Sequence, residues 1–179
     1  MSDCQMVTEP AHLVYDGEVY LGVNCVCFGL SGRMPQKERF VLLRETANGY
    51  EYVSTVLTHE DAQSLAGADR IEQVDLYEQR DGTIGLVGTP MKEQGGKTLH
   101  MGCYFMEFDD FKNGTLKRDS QGRPAVKFVI KDSNSQPRGQ GACTYDKNYD
   151  GGVLIIRRVM PPASKKGVVF SLLRTGIHP

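Results

Sequence analysis

The stretch Phe40-Val41-Leu42-Leu43-Arg44-Glu45-Thr46-Ala47-Asn48-Gly49-Tyr50-Glu51-Tyr52-Val53-Ser54-Thr55-Val56-Leu57 reads as two strands folded about a tight turn. Asn48-Gly49 accepts the positive φ angles that a hairpin turn requires. The flanking Phe, Val, Tyr and Thr residues suit a pleated, half-buried surface. Moving outward, the same punctuation recurs at Asp81-Gly82, Asn113-Gly114 and Asp150-Gly151, and in weaker form at Gly95-Gly96 and Gln121-Gly122. Apolar runs lie between these turns: Val19–Leu30, Ile71–Glu78, Thr83–Val87, Leu99–Phe108, Val126–Lys131, Val153–Met160 and Val168–Leu173. With Leu13–Tyr15 and Thr115–Arg118 they make about ten strands.

One stretch reads as helix. Thr58 can cap its start, Glu60 and Asp61 favour the positive end of its dipole, and Gly67 can close its last turn. The fold class is therefore all-β: an antiparallel barrel or two-sheet sandwich of about ten strands with one short helix near 59–66. No period of 20–50 residues recurs, which excludes a solenoid or propeller array. Pro35, Pro90, Pro124 and Pro161-Pro162 are expected at strand ends, and 132–141 (DSNSQPRGQG) as a long loop. Only two convincing strands follow that loop, so residues 1–179 read as a single domain.

The 179 residues sum to a formal charge of −1, which conceals a division. Residues 1–90 hold 6 Lys/Arg against 14 Asp/Glu, and residues 91–179 hold 15 against 8. A hydrophobic fraction of 40% and a charged fraction of 24% exclude wholesale disorder. The first residues show no basic region followed by an apolar run, so no secretory signal is expected. The apolar runs are too short to span a bilayer as helices. Five cysteines are odd in number and sparse, and read as reduced thiols in a cytoplasmic protein.

Several constellations could carry chemistry. Cys25 and Cys27 share a strand face, and with Cys103 and Cys143 could offer four thiolates to zinc, but their neighbours Val23, Val26 and Phe28 favour core packing. Asp146-Lys147-Asn148-Tyr149-Asp150-Gly151 matches the opening of a calcium loop and makes Asp146, Asn148 and Asp150 candidate metal ligands. Arg157 stands where that loop needs its closing Glu, so a polar turn competes with it. Cys143 follows a glycine-rich segment, but no His or Asp is placed to activate it. Glu107 and Asp109 would share one strand face as a carboxylate pair. Lys112, Lys117, Arg118, Arg123, Lys127, Lys131 and Arg138 recur through two strands and their turns.

Together these features favour a non-catalytic small barrel or sandwich that binds a small apolar ligand in or between its sheets. The expected lining is Tyr20, Phe28, Met101, Tyr104, Phe105 and Met106. A second class is an interaction or assembly protein, a homo-oligomer joined through charge-complementary faces. A third is a single-stranded nucleic-acid binder using the basic half, against which stands the lack of an RNP-type aromatic motif. No cofactor and no membrane partner is expected. An internally complementary domain is the simplest meaning of the charge division.

Overall fold

A computed structural model describes residues 4–28, 35–131, 141–159 and 169–179. Among them are thirteen strands and one helix, in three antiparallel sheets, so the all-β expectation holds. Sheet one is a meander of β1 (Met6–Tyr15), β2 (Glu18–Phe28), β3 (Pro35–Thr46) and β4 (Gly49–Leu57). Asn48-Gly49 turns β3 into β4, as its residues demand. The β1–β2 turn is Asp16-Gly17, with φ of 52° and 78°, a hairpin dipeptide of the same kind.

The chain then enters α1 (His59–Ala66). The Thr58 hydroxyl accepts from the Asp61 N–H, the Asp61 carboxylate accepts from the Thr58 N–H, and Gly67 closes the helix in the left-handed region. These are the residues from which the helix was expected. Sheet two follows, with β5 (Arg70–Glu78), β6 (Ile84–Gln94), β8 (Cys103–Asp110) and β10 (Val126–Ile130) in that order, β7 (Lys97–His100) on β6 and β9 (Thr115–Leu116) on β8. The expected single strand Leu99–Phe108 is broken into β7 and β8, because Gly102 takes a φ of 107° that ends the ladder. Pro90 lies inside β6 rather than at its end; its carbonyl accepts from the Met101 N–H. Sheet three comprises β11 (Gly141–Thr144), β12 (Leu154–Val159) and β13 (Val169–Arg174). Of the loop expected at 132–141, residues 132–140 lie outside the described residues and Gly141 opens β11.

The sheets stack face to face. One apolar layer joins sheets one and two through Tyr20, Phe40, Leu42, Val56, Leu76, Leu86 and Met106. A second joins sheets two and three through Tyr77, Val87, Phe105, Tyr145, Val153 and Ile155. Sheet two is therefore covered on both sides, and every residue from Ile84 to Met91 in β6 is buried. Strand β5 packs against both β1 and β11, so the first strands of all three sheets lie together. Successive meanders with adjoining first strands are ordered like neighbouring blades of a propeller. The lack of a sequence period thus did not exclude this arrangement. The three sheets begin at residues 6, 70 and 141, too widely spaced for the 20–50-residue window. No helix among the described residues is long and apolar enough to cross a membrane.

Candidate functional site

Two irregularities in adjoining first strands create the site. In β1 the ladder slips between Thr8 and Ala11, leaving Glu9 and Pro10 as a bulge; proline has no N–H to give to a ladder. In β5 it slips between Glu72 and Asp75, leaving Gln73 and Val74. Glu9 (φ 52°) and Gln73 (φ 54°) are two of only three described non-glycine residues with positive φ, and they touch. The Gln73 N–H donates to Glu9 Oε2 at 2.5 Å, and Asn24 Nδ2 donates to the same oxygen at 2.8 Å. Left-handed backbone at such residues costs on the order of 1–3 kcal/mol and gathers at functional sites.

Around this contact four carboxyls share one guanidinium. Arg70, with its side chain only 13% exposed, pairs with Glu72 through Nε and with Glu93 through Nη1 at 2.9 Å. Its Nε is also 3.9 Å from Glu38 Oε1. Thr98 Oγ1 donates to Glu93 Oε1 at 2.7 Å. One arginine does not neutralise Glu9, Glu38, Glu72 and Glu93. Burial, reinforced by the negative charge of Glu72, pushes the Glu38 carboxyl up to about 7, and Arg70 only partly opposes this. Burial also raises Glu9, although the Gln73 N–H pulls the other way. Nearby, burial pushes the His100 imidazole down.

Glu9, Glu38, Arg70 and Glu72 open onto a cleft of about 300 Å³, with Met6, Thr8 and Val26 completing its wall. Four buried polar atoms close by have no protein partner: Asn24 Oδ1, Glu38 Oε2, Gln73 Oε1 and His100 Nδ1. Buried polar atoms are rarely left unsatisfied, and a group of them beside a cleft suits a hydroxyl-rich ligand. A carboxyl held neutral near an arginine-bound carboxylate is the arrangement that divides acid and base roles between two like groups.

Sequence reasoning did not find this site. Its members come from six strands, between positions 9 and 100, with no spacing in common. The available signals were a proline inside a strand and the acid surplus of residues 1–90, to which every carboxyl of the cluster but Glu93 belongs.

Four of the six residues expected to bind a ligand, Tyr20, Met101, Tyr104 and Met106, meet in one apolar layer. Tyr104 and Met106 face the layer between sheets one and two, with Met101 partly buried against it, whereas Phe105 faces the opposite layer and stacks on Phe128 at 4.4 Å. Tyr20 packs on Phe111 at 4.7 Å and donates to Glu18 at 2.9 Å. Phe28 ends β2, and its side chain lies outside the described residues. Strand alternation sends neighbours to opposite faces, so Tyr104 and Met106 enter one apolar layer and Phe105 the other. Asp146, Asn148 and Asp150 share the turn before β12. Asp146 Oδ1 accepts from the Asn148 N–H at 2.9 Å, and Asp150 Oδ1 from Arg80 at 3.0 Å.

The reading of the cysteines as reduced thiols is corrected. Cys4 is bonded to Cys25 and Cys103 to Cys143, with Cα separations of 5.4 and 6.1 Å. Pairing partners lie 21 and 40 residues apart, on strands whose contact no spacing rule reveals. Three of the four sulfurs considered for zinc, Cys25, Cys103 and Cys143, are thereby used, and the fourth, Cys27, is the cysteine outside the bridges.

A second charged cluster lies at the other end of sheet two. Glu107 accepts from Lys117 at 2.8 Å, Lys127 at 2.6 Å and Gln79 at 2.9 Å. Burial works against its charge, but these three donors prevail and hold its carboxyl down at about 2. Other bases of the second half pair with acids of the first: Lys112 with Asp16, Arg118 with Asp61 and Lys147 with Glu78.

No protein-family model matches the sequence, and comparison with curated proteins finds no match. Solved structures do share the fold. The GH43_1 enzyme from Xanthomonas citri complexed with xylotriose aligns with a TM-score of 0.50 and 15% identity, over 84% of this chain and 39% of that one. An endo-arabinase from Bacteroides thetaiotaomicron aligns at 0.52 and 10% identity, over 95% of this chain and 56% of that one. An α-L-arabinofuranosidase from Lactobacillus brevis aligns at 0.52 and 10%, over 95% and 51%. The chain thus spans only 39% to 56% of the length of these proteins, and at such identities the likeness is one of fold. All three are named as enzymes, and here the fold gathers carboxyls at a cleft, which overturns the reading as a non-catalytic binding barrel.

Proposed function

We propose that the chain carries carboxyls for hydrolysis of glycosidic bonds, with Glu38 as general acid and Glu72 as general base. The observation that carries this reading is Glu38: a buried carboxyl with one unpartnered oxygen, beside an arginine-bound carboxylate on an open cleft. Glycoside hydrolysis needs this division of labour. Glu38 gives its proton to the bridging oxygen as the C–O bond to the anomeric carbon breaks, and the leaving sugar departs as an alcohol. Water attacks the anomeric carbon, and its proton passes to Glu72. Proton exchange with solvent then restores both groups. Arg70 holds Glu72 in place, and Glu9, anchored by Asn24 and Gln73, adds negative charge that helps to raise Glu38.

The names of the proteins sharing the fold, an endo-arabinase, an arabinofuranosidase and an enzyme complexed with xylotriose, suggest pentose-containing oligosaccharides as substrates. The two disulfides favour an oxidising compartment over the cytoplasm. The test is reducing-end release from arabino- and xylo-oligosaccharides by the purified chain. Glu38→Gln and Glu72→Gln are each expected to lower kcat by roughly 10²–10⁴-fold. Activity should also fall above about pH 7 as Glu38 ionises. No release from either oligosaccharide series, or a Glu38→Gln variant as active as the parent, would refute the reading.

A further inference from the structure

A second cleft, of about 320 Å³, lies on the far side of Glu38, lined by Cys27, Arg39, Thr55, Thr58 and His59 as well as Glu38 itself. Its origin is a mismatch of strand lengths. The β3–β4 ladder ends at Phe40 and Leu57, while β3 continues to Pro35 paired with β2 alone. At Glu38 and Arg39 the edge of β3 therefore lacks a β4 neighbour, and the chain turns through Thr58 into α1 above the gap. The cleft joins this strand edge to the first turn of the helix.

Glu38 belongs to both clefts, and its two oxygens differ. Oε1 is the one 3.9 Å from Arg70 Nε, the guanidinium of the first cleft. Oε2 has no partner, on a residue only 8% exposed. A general acid must aim its proton at the oxygen between two sugars, so the two sugars lie on either side of it. The wall of the second cleft mixes apolar surface with polar groups. His59 Nε2 is bonded to Gln63, while its buried Nδ1 has no protein partner. The Thr55 hydroxyl shares a hydrogen bond with Tyr52 at 3.1 Å and retains acceptor capacity. Such a surface can satisfy sugar hydroxyls and also pack against the C–H faces of a sugar ring.

We propose that this second cleft is the subsite for the leaving-group sugar, with Glu38 Oε2 at the boundary and His59 Nδ1 as a hydroxyl-binding group. The inference rests on the reading of Glu38 as the general acid. It implies that cleavage efficiency depends on the hydroxyls of the leaving group and not only on the sugar held beside Arg70.

The experiment compares kcat/KM for an arabino- or xylo-trisaccharide with that for the matching 4-nitrophenyl glycoside, whose leaving group has no sugar hydroxyls. His59→Ala is expected to lower the trisaccharide-to-aryl ratio about tenfold, the size of one lost hydrogen bond to a polar partner. His59→Asn, which restores a side-chain donor and acceptor, should recover part of it. The same His59→Ala variant should also be inhibited less by the free disaccharide. Glu38→Gln separates the two levels of the argument. If it remains fully active on the trisaccharide, the general-acid reading falls and the subsite with it. If Glu38→Gln is inactive but His59→Ala keeps the parental ratio and inhibition, the subsite alone is overturned. Circular dichroism and thermal melting of each variant exclude loss of fold as the cause of a changed ratio.

Discussion

Sheet two carries a charged cluster at each end, built on opposite ratios of acid to base. At the end where Gly85 faces Glu107, one carboxylate is surrounded by Lys117, Lys127 and Gln79. At the end where Arg70 faces Met91, one guanidinium serves Glu38, Glu72 and Glu93, with Glu9 close behind. The chemistry of the groups is the same, but the first cluster holds its carboxyl at about 2 and the second raises one to about 7. The first is a satisfied ion cluster that fastens β8 to its neighbours. The second retains a proton that a substrate can take, at a cost in stability that a purely structural cluster has no reason to bear.

The contrast breaks most sharply at Arg70. Arg70→Met should destabilise the chain by about 3–5 kcal/mol at pH 8, because it leaves buried carboxylates without their cation. Urea unfolding should show a smaller loss at pH 5, where the raised carboxyls of Glu38 and Glu9 take up protons instead. An equal loss at both pH values would mean that Arg70 acts through packing alone.

A smaller effect, of opposite sign, is expected at Glu38. Its folded pKa lies above the ordinary value of 4.5, so the folded state is least penalised below 4.5 and loses stability as pH rises through about 7. Glu38→Gln removes that penalty. The variant should be more stable than the parent by about 2–3 kcal/mol at pH 8 and no more stable at pH 4. Thermal melts across this range check it, and the gain would accompany loss of hydrolysis.

The smallest effect is at Glu107, where the same substitution should act in reverse. Its folded pKa is depressed, so its contribution is present above 4.5 and is lost as pH falls through about 2. Glu107→Gln should cost about 1–3 kcal/mol at pH 7 and little at pH 2, a figure reduced by solvent screening. That screening follows from the exposure of its lysines, 46% for Lys117 and 42% for Lys127. Two Glu→Gln substitutions with stability changes of the same sign at pH 8 would remove the distinction between the clusters.

The features legible in the sequence are those set by neighbours along the chain. Thr58, Asp61 and Gly67 define α1 because a capping box and a left-handed closure are completed within ten residues. Asn48-Gly49 and Asp81-Gly82 mark turns for the same reason, and Asp16-Gly17 offered an equal signal. What depends on partners distant in sequence was hidden. The apolar run Leu99–Phe108 concealed a break at Gly102, since a continuous apolar pattern fits one long strand as well as two short ones. Glu38 appeared as one charge among many in the acidic half; only the meeting of β1, β3 and β5 gives it Glu9, Arg70 and Glu72 as neighbours. Of the six aromatic and sulfur-bearing residues expected around a ligand, Tyr104, Phe105 and Met106 lie in β8, a strand covered on both faces. Across the halves, Lys112, Arg118 and Lys147 of the second pair with Asp16, Asp61 and Glu78 of the first.

The bridge from Cys103 in β8 to Cys143 in β11 ties the middle layer to the outer one across 40 residues of chain. A protease cut anywhere between those two positions would leave both fragments covalently attached. The nicked protein would migrate as one band without reductant and as two with it. Sheet three would stay docked against Phe105 and Val87, so survival of the Arg70 cleft does not require an unbroken backbone.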